Sequence, residues 1–149
     1  MKLLPIQPEH LPAIAALEAL CFAEPWSEKA LGLLLTDQAT GFAATDDRGA
    51  VIGYGGMLLA PDEGQILNLA VSPDYRRKGV GAALLSALLA EADRRGLSTL
   101  SLEVRVSNQP AVALYERAGF TVAGRRRHFY KSPTEDAWVM IRSAKSGQA

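Results

Sequence analysis

Apolar residues recur at helical spacing in two segments of the chain, and capping residues predict two further helices. The clearest predicted helix covers residues 79–95, whose apolar stripe consists of Val80, Leu84, Leu85, Leu88 and Ala92. Another helix is predicted over residues 8–22, because apolar residues follow one another at spacings of three at Leu11, Ile14, Leu17 and Leu20. Ser27 and Asn108 are typical N-cap residues, and they predict shorter helices over residues 28–35 and 109–118.

Alternating or continuous apolar runs predict strands between and after these helices. Residues 99–106 alternate most cleanly, with one face made of Leu100, Leu102, Val104 and Val106 and the other of Ser101, Glu103 and Arg105. Further strands are predicted over residues 2–6, 41–45, 50–59, 65–71, 120–127 and 137–142. Strands and helices interleave, so we expect an α/β (α+β) fold with a mixed central sheet and helices on its faces.

Length and composition narrow the class of protein. The 149 residues suit one domain, here residues 1–142, and residues 143–149 match no pattern and are predicted to be a disordered tail. Sixteen basic and sixteen acidic residues cancel, which disfavours a protein that grips a nucleic-acid backbone. The lone Cys21 can form neither an internal disulfide nor a zinc-ligand set, so no metal is expected. The N-terminal residues lack the apolar run of a signal peptide, and no stretch has the length of a membrane span, so we expect a soluble, cytoplasmic protein.

A basic turn with two glycines joins the strand at residues 65–71 to the helix at residues 79–95. Its sequence is Arg76-Arg77-Lys78-Gly79-Val80-Gly81. Glycine at the start of a helix lets backbone N–H groups approach a phosphate, and the helix dipole favours the negative charge. The cationic side chains add to this attraction, so the turn predicts an anion-binding site. Leu84 stands where a dinucleotide-binding fingerprint or a Walker loop needs glycine, which excludes both.

The pattern Arg-x-x-Gly-x-Gly, placed between a strand and a helix, resembles the signature of the GCN5-related N-acetyltransferases, the GNAT superfamily. The resemblance implies that the anion is the pyrophosphate of acetyl-CoA, and that the fold is a mostly antiparallel sheet of about six to seven strands with about four helices. It also implies that the strand before the turn splays from its neighbour, so that its backbone contacts the pantetheine arm and the acetyl carbonyl. The cofactor contacts implied in this way are Leu69, Ala70, Val71, Arg76, Arg77, Lys78, Gly79, Val80, Gly81, Ala82 and Asn108. Many relatives carry Arg or Lys in place of Ala82, so one phosphate contact is expected to be missing.

Longer stretches narrow the resemblance to the RimI family. They are residues 24–28, 68–75, 102–108 and 113–120, and the similarity runs from about residue 25 to about residue 140. That family acetylates the N-terminal alanine of the eighteenth protein of the small ribosomal subunit, so the resemblance implies that a protein N-terminus is the acceptor. It also implies that Glu103 is the general base and that Tyr115 donates a proton to the CoA sulfur.

Amine chemistry explains why such a pair is needed. A free α-amine has a pKa near ~8 and attacks a thioester only when neutral, so it needs a proton acceptor, and the departing thiolate needs a proton donor. A carboxylate with an ordinary pKa of about 4.3 is a weak base for an ammonium, so Glu103 acts either directly or through a water molecule, and we favour the water. By spacing alone, Glu103 equally fits a surface position of a strand, and Tyr115 a core position of a helix. No cysteine lies near these motifs, which favours direct transfer over an acyl-enzyme.

The acceptor side is less well defined by the sequence. Trp26 either packs on Leu31 as a hydrophobic staple or lines a substrate groove, and Tyr130 is the second candidate for that groove. The basic run at residues 125–127 is either a solvated strand end or a contact for an acidic or ribosomal partner. Residues 135–136 are predicted to be a turn, with contact to a cationic acceptor as the alternative.

Two other functions remain open at this point. One is an acetyltransferase that modifies lysine side chains, polyamines or another small amine. The other is a module that binds acyl-CoA without catalysis, which has no need for a proton acceptor and a proton donor together.

Overall fold

Seven strands form one sheet in the computed structural model, which describes residues 1–144. They are β1 (Lys2–Pro5), β2 (Ala39–Thr45), β3 (Val51–Leu59), β4 (Glu63–Val71), β5 (Thr99–Arg105), β6 (Thr121–Tyr130) and β7 (Glu135–Ser143). Their order in the sheet is β1-β2-β3-β4-β5-β7-β6. Neighbouring strands are antiparallel except β4 and β5, which are parallel, so the predicted mixed and mostly antiparallel sheet is confirmed.

Four α-helices of the described part cover the two faces of this sheet. They are α1 (Leu11–Cys21), α2 (Glu28–Leu31), α3 (Val80–Arg94) and α4 (Gln109–Arg117). Short 3-10 segments stand before α1, after α2 and before α3, at Pro8–His10, Gly32–Leu35 and Pro73–Tyr75. Residues of α1 and α2 pack in one apolar cluster with Ala43, whereas α3 packs on the opposite face with Ala44. None of the helices within residues 1–144 is long and apolar enough to cross a membrane.

The helix caps follow the predicted positions. The Ser27 hydroxyl accepts the N–H of Ala30 at 3.1 Å, and the Asn108 side-chain oxygen accepts the N–H of Ala111 at 3.3 Å. These bonds satisfy donors that the first turn of a helix leaves without partners. Gly96, directly after α3, has the left-handed φ of 71° that favours glycine at a helix end.

The predicted apolar stripe of the first helix is wrong at its end. Leu20 is 64% exposed, whereas Glu18 is 0% exposed. Leu20 follows Leu11 by nine positions, about two and a half helical turns, so it lies on the opposite face. The buried face of α1 therefore ends in a carboxylate rather than a leucine.

Several strand boundaries also differ from the prediction. β4 begins at Glu63, two residues before the predicted start, and β6 continues three residues further than predicted, to Tyr130. The turn predicted at residues 135–136 is wrong, because Glu135 and Asp136 open β7 and form ion pairs with arginines. Ser143, predicted to belong to a disordered tail, is the last residue of β7, and residues 145–149 of that tail lie outside the described residues.

β4 and β5 pair only over a short stretch near their N-terminal ends. Their register runs from Glu63 opposite Thr99 to Gln65 opposite Ser101, while β5 stays paired with β7 along its whole length. The two strands therefore diverge after Gln65. The opening between residues 66–71 of β4 and residues 102–105 of β5 is called the split below. Splaying of the strand before the basic turn is thus confirmed.

Candidate active site

The basic turn leads from the end of β4 into α3. Gly79 is the N-cap of α3 and has a left-handed φ of 81°, and Arg77 is left-handed as well, at 63°. Such a turn directs successive backbone N–H groups outward at the positive end of the helix dipole. Arg77, Lys78 and Gly79 are exposed, whereas Val80 is buried and anchors the helix start in the core.

Arg76 is held differently from the two cations that follow it. Its Nε donates to the Val71 carbonyl oxygen at 3.3 Å, and its Nη2 lies 3.5 Å from the Cys21 sulfur. Arg76 therefore fastens the turn to the end of β4. Ala82, in the first turn of α3, is exposed. It has no charged side chain that could supply the phosphate contact that an Arg or Lys would make at this position.

The basic turn follows the strand that borders the split, so the two features adjoin. A Cβ added at Gly79 would meet no heavy atom within 4 Å, so the space outside the turn is open. On the β4 side of the split lie Leu69 and Val71, which are half-buried, and Ala70, which is buried. Asn108 starts α4 just after β5, on the other side of the split. The predicted cofactor residues therefore lie along the basic turn and on both sides of the split.

Substituting the two glycines of the turn separately tests this geometry. Gly79→Ala is expected to lower the free energy of unfolding by about 1 kcal/mol, because a side chain disfavours the left-handed φ, and to weaken acetyl-CoA binding. Gly81→Ala is the matched control: its added Cβ would make only ordinary contacts, at 3.7 Å from Leu114 and Val71, so stability should not fall. Chemical denaturation and calorimetric titration with acetyl-CoA measure both effects. Equal stability of the two variants would contradict the strained-turn interpretation.

Glu103 lies on the face of β5 that points away from the α3 cluster, at the split. Its Oε1 accepts a hydrogen bond from Gln65 Nε2 at 3.0 Å, and its Oε2 lies 3.3 Å from the Nε of Arg126. The side chain is only 15% exposed. Glu103 is therefore a positioned carboxylate with both oxygens engaged, and not a freely solvated surface residue.

Tyr115 lies in α4 with its ring buried in the cluster that also contains Leu102 and Phe120. Its ring meets Phe120 edge-on, with centroids 5.8 Å apart. Burial, followed by the nearby Tyr130, raises the pKa of Tyr115 well above its usual range. The phenol therefore keeps its proton throughout the neutral pH range, as a proton donor must.

Tyr130, at the end of β6, is a third ionisable side chain in this region, besides Glu103 and Tyr115. Burial, followed by the charge of Glu103, raises the pKa of Tyr130 to about 12, while Arg105 opposes the shift. The Arg105 guanidinium lies 4.5 Å from the centre of the Tyr130 ring and also pairs with Glu135 at 3.1 Å. Glu103 and Tyr115 therefore both lie in the neighbourhood of Tyr130.

Trp26 lies in the loop between α1 and α2. It is half-buried against the cluster that includes Leu31, as the staple interpretation predicts, and its backbone N–H donates to Glu18 Oε1 at 2.9 Å. In the same loop, the Glu24 carboxylate accepts the backbone N–H of Lys131 at 3.1 Å. The loop carrying Trp26 therefore touches the hairpin that carries Tyr130.

The basic run on β6 is partly neutralised by ion pairs. Arg125 pairs with Asp136 at 2.7 Å and lies over the Trp138 ring, and Arg126 pairs with Glu103. Arg127 is exposed. All three arginines are exposed, as a solvated strand end predicts, and two of them also have carboxylate partners within the protein.

Three polar contributors to the site have no clear signal in the sequence. Gln65 and Arg126 hold Glu103 from elements that are distant along the chain, and Glu18 occupies what looks like an apolar helix position. Of these three residues, only Arg126 belongs to a pattern noted in the sequence, the basic run at residues 125–127. That run did not predict a carboxylate partner. Within residues 1–144, no three His, Cys, Asp or Glu side chains group as metal ligands.

Known proteins share this fold and much of this sequence. The profile of the acetyltransferase (GNAT) family matches residues 11–120. The chain is similar to the [ribosomal protein bS18]-alanine N-acetyltransferase of Escherichia coli strain K12, at 39% identity over 91% of this chain and 92% of that protein. It is 34% identical to the N-alpha-acetyltransferase RimI of Mycobacterium tuberculosis, over 87% of this chain and 84% of that protein. The crystal structure of the ribosomal-protein-S18-alanine N-acetyltransferase from Escherichia coli matches with a TM-score of 0.89 at 38% identity, covering 95% of this chain and 92% of that one.

Proposed function

The chain belongs to the acetyltransferase (GNAT) family, whose members use acetyl-CoA, and we propose that it acetylates the N-terminal α-amine of a protein in the cytoplasm. The proposed acceptor is the N-terminal alanine of a small-subunit ribosomal protein, as the names of its bacterial relatives suggest. Acetyl-CoA supplies an activated thioester carbonyl that the neutral amine attacks directly. The single observation that supports catalysis best is the Glu103 carboxylate at the split, which is largely buried and held by Gln65 and Arg126.

The residues of the turn hold the cofactor in this proposal. Arg77, Lys78 and the backbone N–H groups at the start of α3 bind the pyrophosphate, and Arg76 keeps the turn on β4. The backbone of residues 69–71 orients the pantetheine arm along the split, and Asn108 contacts it from α4. These contacts favour binding and orientation, and they take no part in proton transfer.

Proton transfer in the proposal belongs to two side chains. Glu103 accepts a proton from the acceptor's ammonium through a water molecule, and Gln65 and Arg126 hold its carboxylate in place. Tyr115 donates a proton to the departing sulfur, and its buried position keeps it protonated until then. Trp26 and Tyr130 border the acceptor's entry, since their loop and hairpin are joined by the contact between Glu24 and Lys131.

A panel of acceptors tests the proposed function. The protein is incubated with acetyl-CoA and one of three amines: a peptide beginning with Ala-Arg, a peptide with a blocked N-terminus and an internal lysine, or spermidine. We expect thiol release and acetylation with the first, and much less with the others, because a lysine amine with a pKa near ~10.4 is almost fully charged at neutral pH. A preference for lysine or spermidine would overturn the acceptor, and binding of acetyl-CoA without thiol release would overturn catalysis.

A further inference from the structure

Glu18 is a fully buried carboxylate that the proposed reaction does not use. It lies in the second half of α1 and is 0% exposed. Its Oε1 accepts the backbone N–H of Trp26 at 2.9 Å, and its Oε2 accepts the Asn68 side-chain N–H at 2.8 Å and the Tyr54 hydroxyl proton. A buried carboxylate is costly to desolvate, and an apolar side chain with apolar neighbours would avoid that cost. A purely structural role is therefore a weak explanation for Glu18.

Two partners of Glu18, Trp26 and Asn68, lie in segments that the proposed function assigns to different substrates, the acceptor and acetyl-CoA. Trp26 is in the loop between α1 and α2, where the proposed function puts the acceptor's entry. Asn68 is in β4, on the stretch that has left β5 and borders the split. The Glu18 carboxylate thus connects the loop between α1 and α2, called the acceptor loop below, to β4, called the cofactor strand.

Asn68 also sits beside an irregularity in that strand. Gly56 of β3 pairs with Asn68 and Met57 with Ile66, so Leu67 is one extra residue on β4, a β-bulge. Ile66 points into the cluster on the α3 side, whereas Leu67 packs on the α1 side, where Asn68 reaches Glu18. A bulge changes the direction in which the following backbone groups point, so its conformation decides how residues 69–71 face the split.

Tyr54 anchors this arrangement to the centre of the sheet. It lies in β3 opposite Ala70 and is 2% exposed. Burial, followed by the charge of Glu18, raises the pKa of Tyr54 far above its usual range, so its hydroxyl remains a donor at every neutral pH. Three donors from three different elements therefore converge on one carboxylate.

We propose that Glu18 is a positioning residue that holds the acceptor loop at Trp26 and the bulged cofactor strand at Asn68 in the relative placement that acetyl transfer needs. The inference rests on the proposed acetyltransferase activity but not on the identity of the acceptor. Loss of the carboxylate leaves the basic turn intact, so it affects the alignment of the reactants more than the affinity for acetyl-CoA. Misplacement of reactants by about 1 Å can cost roughly 10²-fold in rate.

Three variants test this role. Glu18→Gln keeps the shape but replaces one of the two acceptor oxygens by an amide N–H that faces groups that are themselves donors, so it breaks at least one of the two ties. Asn68→Ala removes only the tie to the cofactor strand. Ile14→Ala is the matched control, because Ile14 is equally buried in α1 but has no polar group. Kinetic constants are measured with the amine that the wild-type protein accepts, at a temperature where circular dichroism shows every variant folded.

We expect Glu18→Gln to lower kcat by about 10- to 100-fold and to raise the acceptor KM by roughly fivefold or more, with acetyl-CoA affinity within about twofold of the wild type. Asn68→Ala should lower kcat while leaving the acceptor KM nearly unchanged. Ile14→Ala should lower thermal stability without either change. Kinetic constants of Glu18→Gln that match those of Ile14→Ala would overturn the inference, and if Glu18→Gln does not fold, an unchanged kcat in Asn68→Ala would overturn it.

A second readout is independent of activity. The chain has two tryptophans, so in a Trp138→Phe background the fluorescence reports on Trp26 alone. Acrylamide quenching should rise when Glu18→Gln is added, because the loop loses its tie, and should stay constant when Ile14→Ala is added. Equal quenching in the two variants would contradict the tie even if the protein acetylated no amine, which separates failure of this inference from failure of the proposed function.

Discussion

Tyr115→Phe is expected to lower kcat by roughly 10²-fold or more while leaving acetyl-CoA affinity nearly unchanged. The substitution removes one hydroxyl and keeps the ring that packs edge-on with Phe120, so the α4 cluster should remain intact. The lost function is proton donation to a thiolate whose conjugate acid has a pKa of about 8.5 for a comparable thiol. Steady-state kinetics, calorimetric titration with acetyl-CoA and thermal melting measure the three quantities on the same preparation. Wild-type turnover in this variant would remove Tyr115 from the mechanism.

The pH profile of the wild-type protein gives the same assignment a second test. An ordinary tyrosine loses its proton at a pKa of about 10, and a general acid is inactive once it has lost its proton. Because burial raises the pKa of Tyr115, that loss is displaced to higher pH. We therefore expect kcat to show no fall caused by Tyr115 up to about pH 10. A descending limb below that pH that vanishes in Tyr115→Phe would contradict the buried, protonated phenol.

Glu103→Gln is expected to lower kcat/KM by roughly 10²-fold at neutral pH, and the deficit should shrink as the pH rises. Without a proton acceptor, the reaction depends on the fraction of acceptor that is already neutral, and this fraction grows up to and beyond the α-amine pKa of about 8. The amide has nearly the same shape and can still accept the hydrogen bond from Gln65, so the split should keep its geometry. The measurement is kcat/KM from pH 6 to pH 10 in both proteins.

A surface glutamate provides the control for this substitution. Glu63 is exposed at the start of β4, so Glu63→Gln removes the same charge away from the catalytic pair. Its profile should follow the wild type. Parallel profiles for Glu103→Gln and the wild type would mean that Glu103 is not the base, whatever the size of the rate loss.

The elements of the fold could largely be predicted because their signals are local. The apolar stripe of α3, the alternation of β5 and the capping residues Ser27 and Asn108 each depend on neighbours within a few positions, and each holds in the structure. The error at Leu20 has the same local origin, since a spacing of three drifts from the true helical period. Strand ends at residues 135–136 were mispredicted because ion pairs with arginines on β5 and β6 extend the hairpin.

The candidate site could be predicted only in part, because its fine structure depends on contacts between distant segments. Glu103 and Tyr115 were found through motif resemblance, but nothing in the motif places Gln65 and Arg126 on the two oxygens of Glu103. The burial of Glu18 could not be predicted at all from local sequence. A carboxylate on a helix predicts a solvated position, and only donors 8, 36 and 50 residues away make its burial tolerable.

N-terminal peptide mapping of small-subunit ribosomal proteins tests the proposed function most directly. Proteins that lack N-terminal acetylation are incubated with acetyl-CoA and either the wild-type protein or Tyr115→Phe, and mass spectrometry then locates every added acetyl group. We predict one acetyl group on the α-amine of an N-terminal alanine with the wild type, and a greatly reduced amount with the variant. Acetylation confined to lysine side chains, or equal acetylation by the two proteins, would contradict an N-terminal acetyltransferase that works through Tyr115.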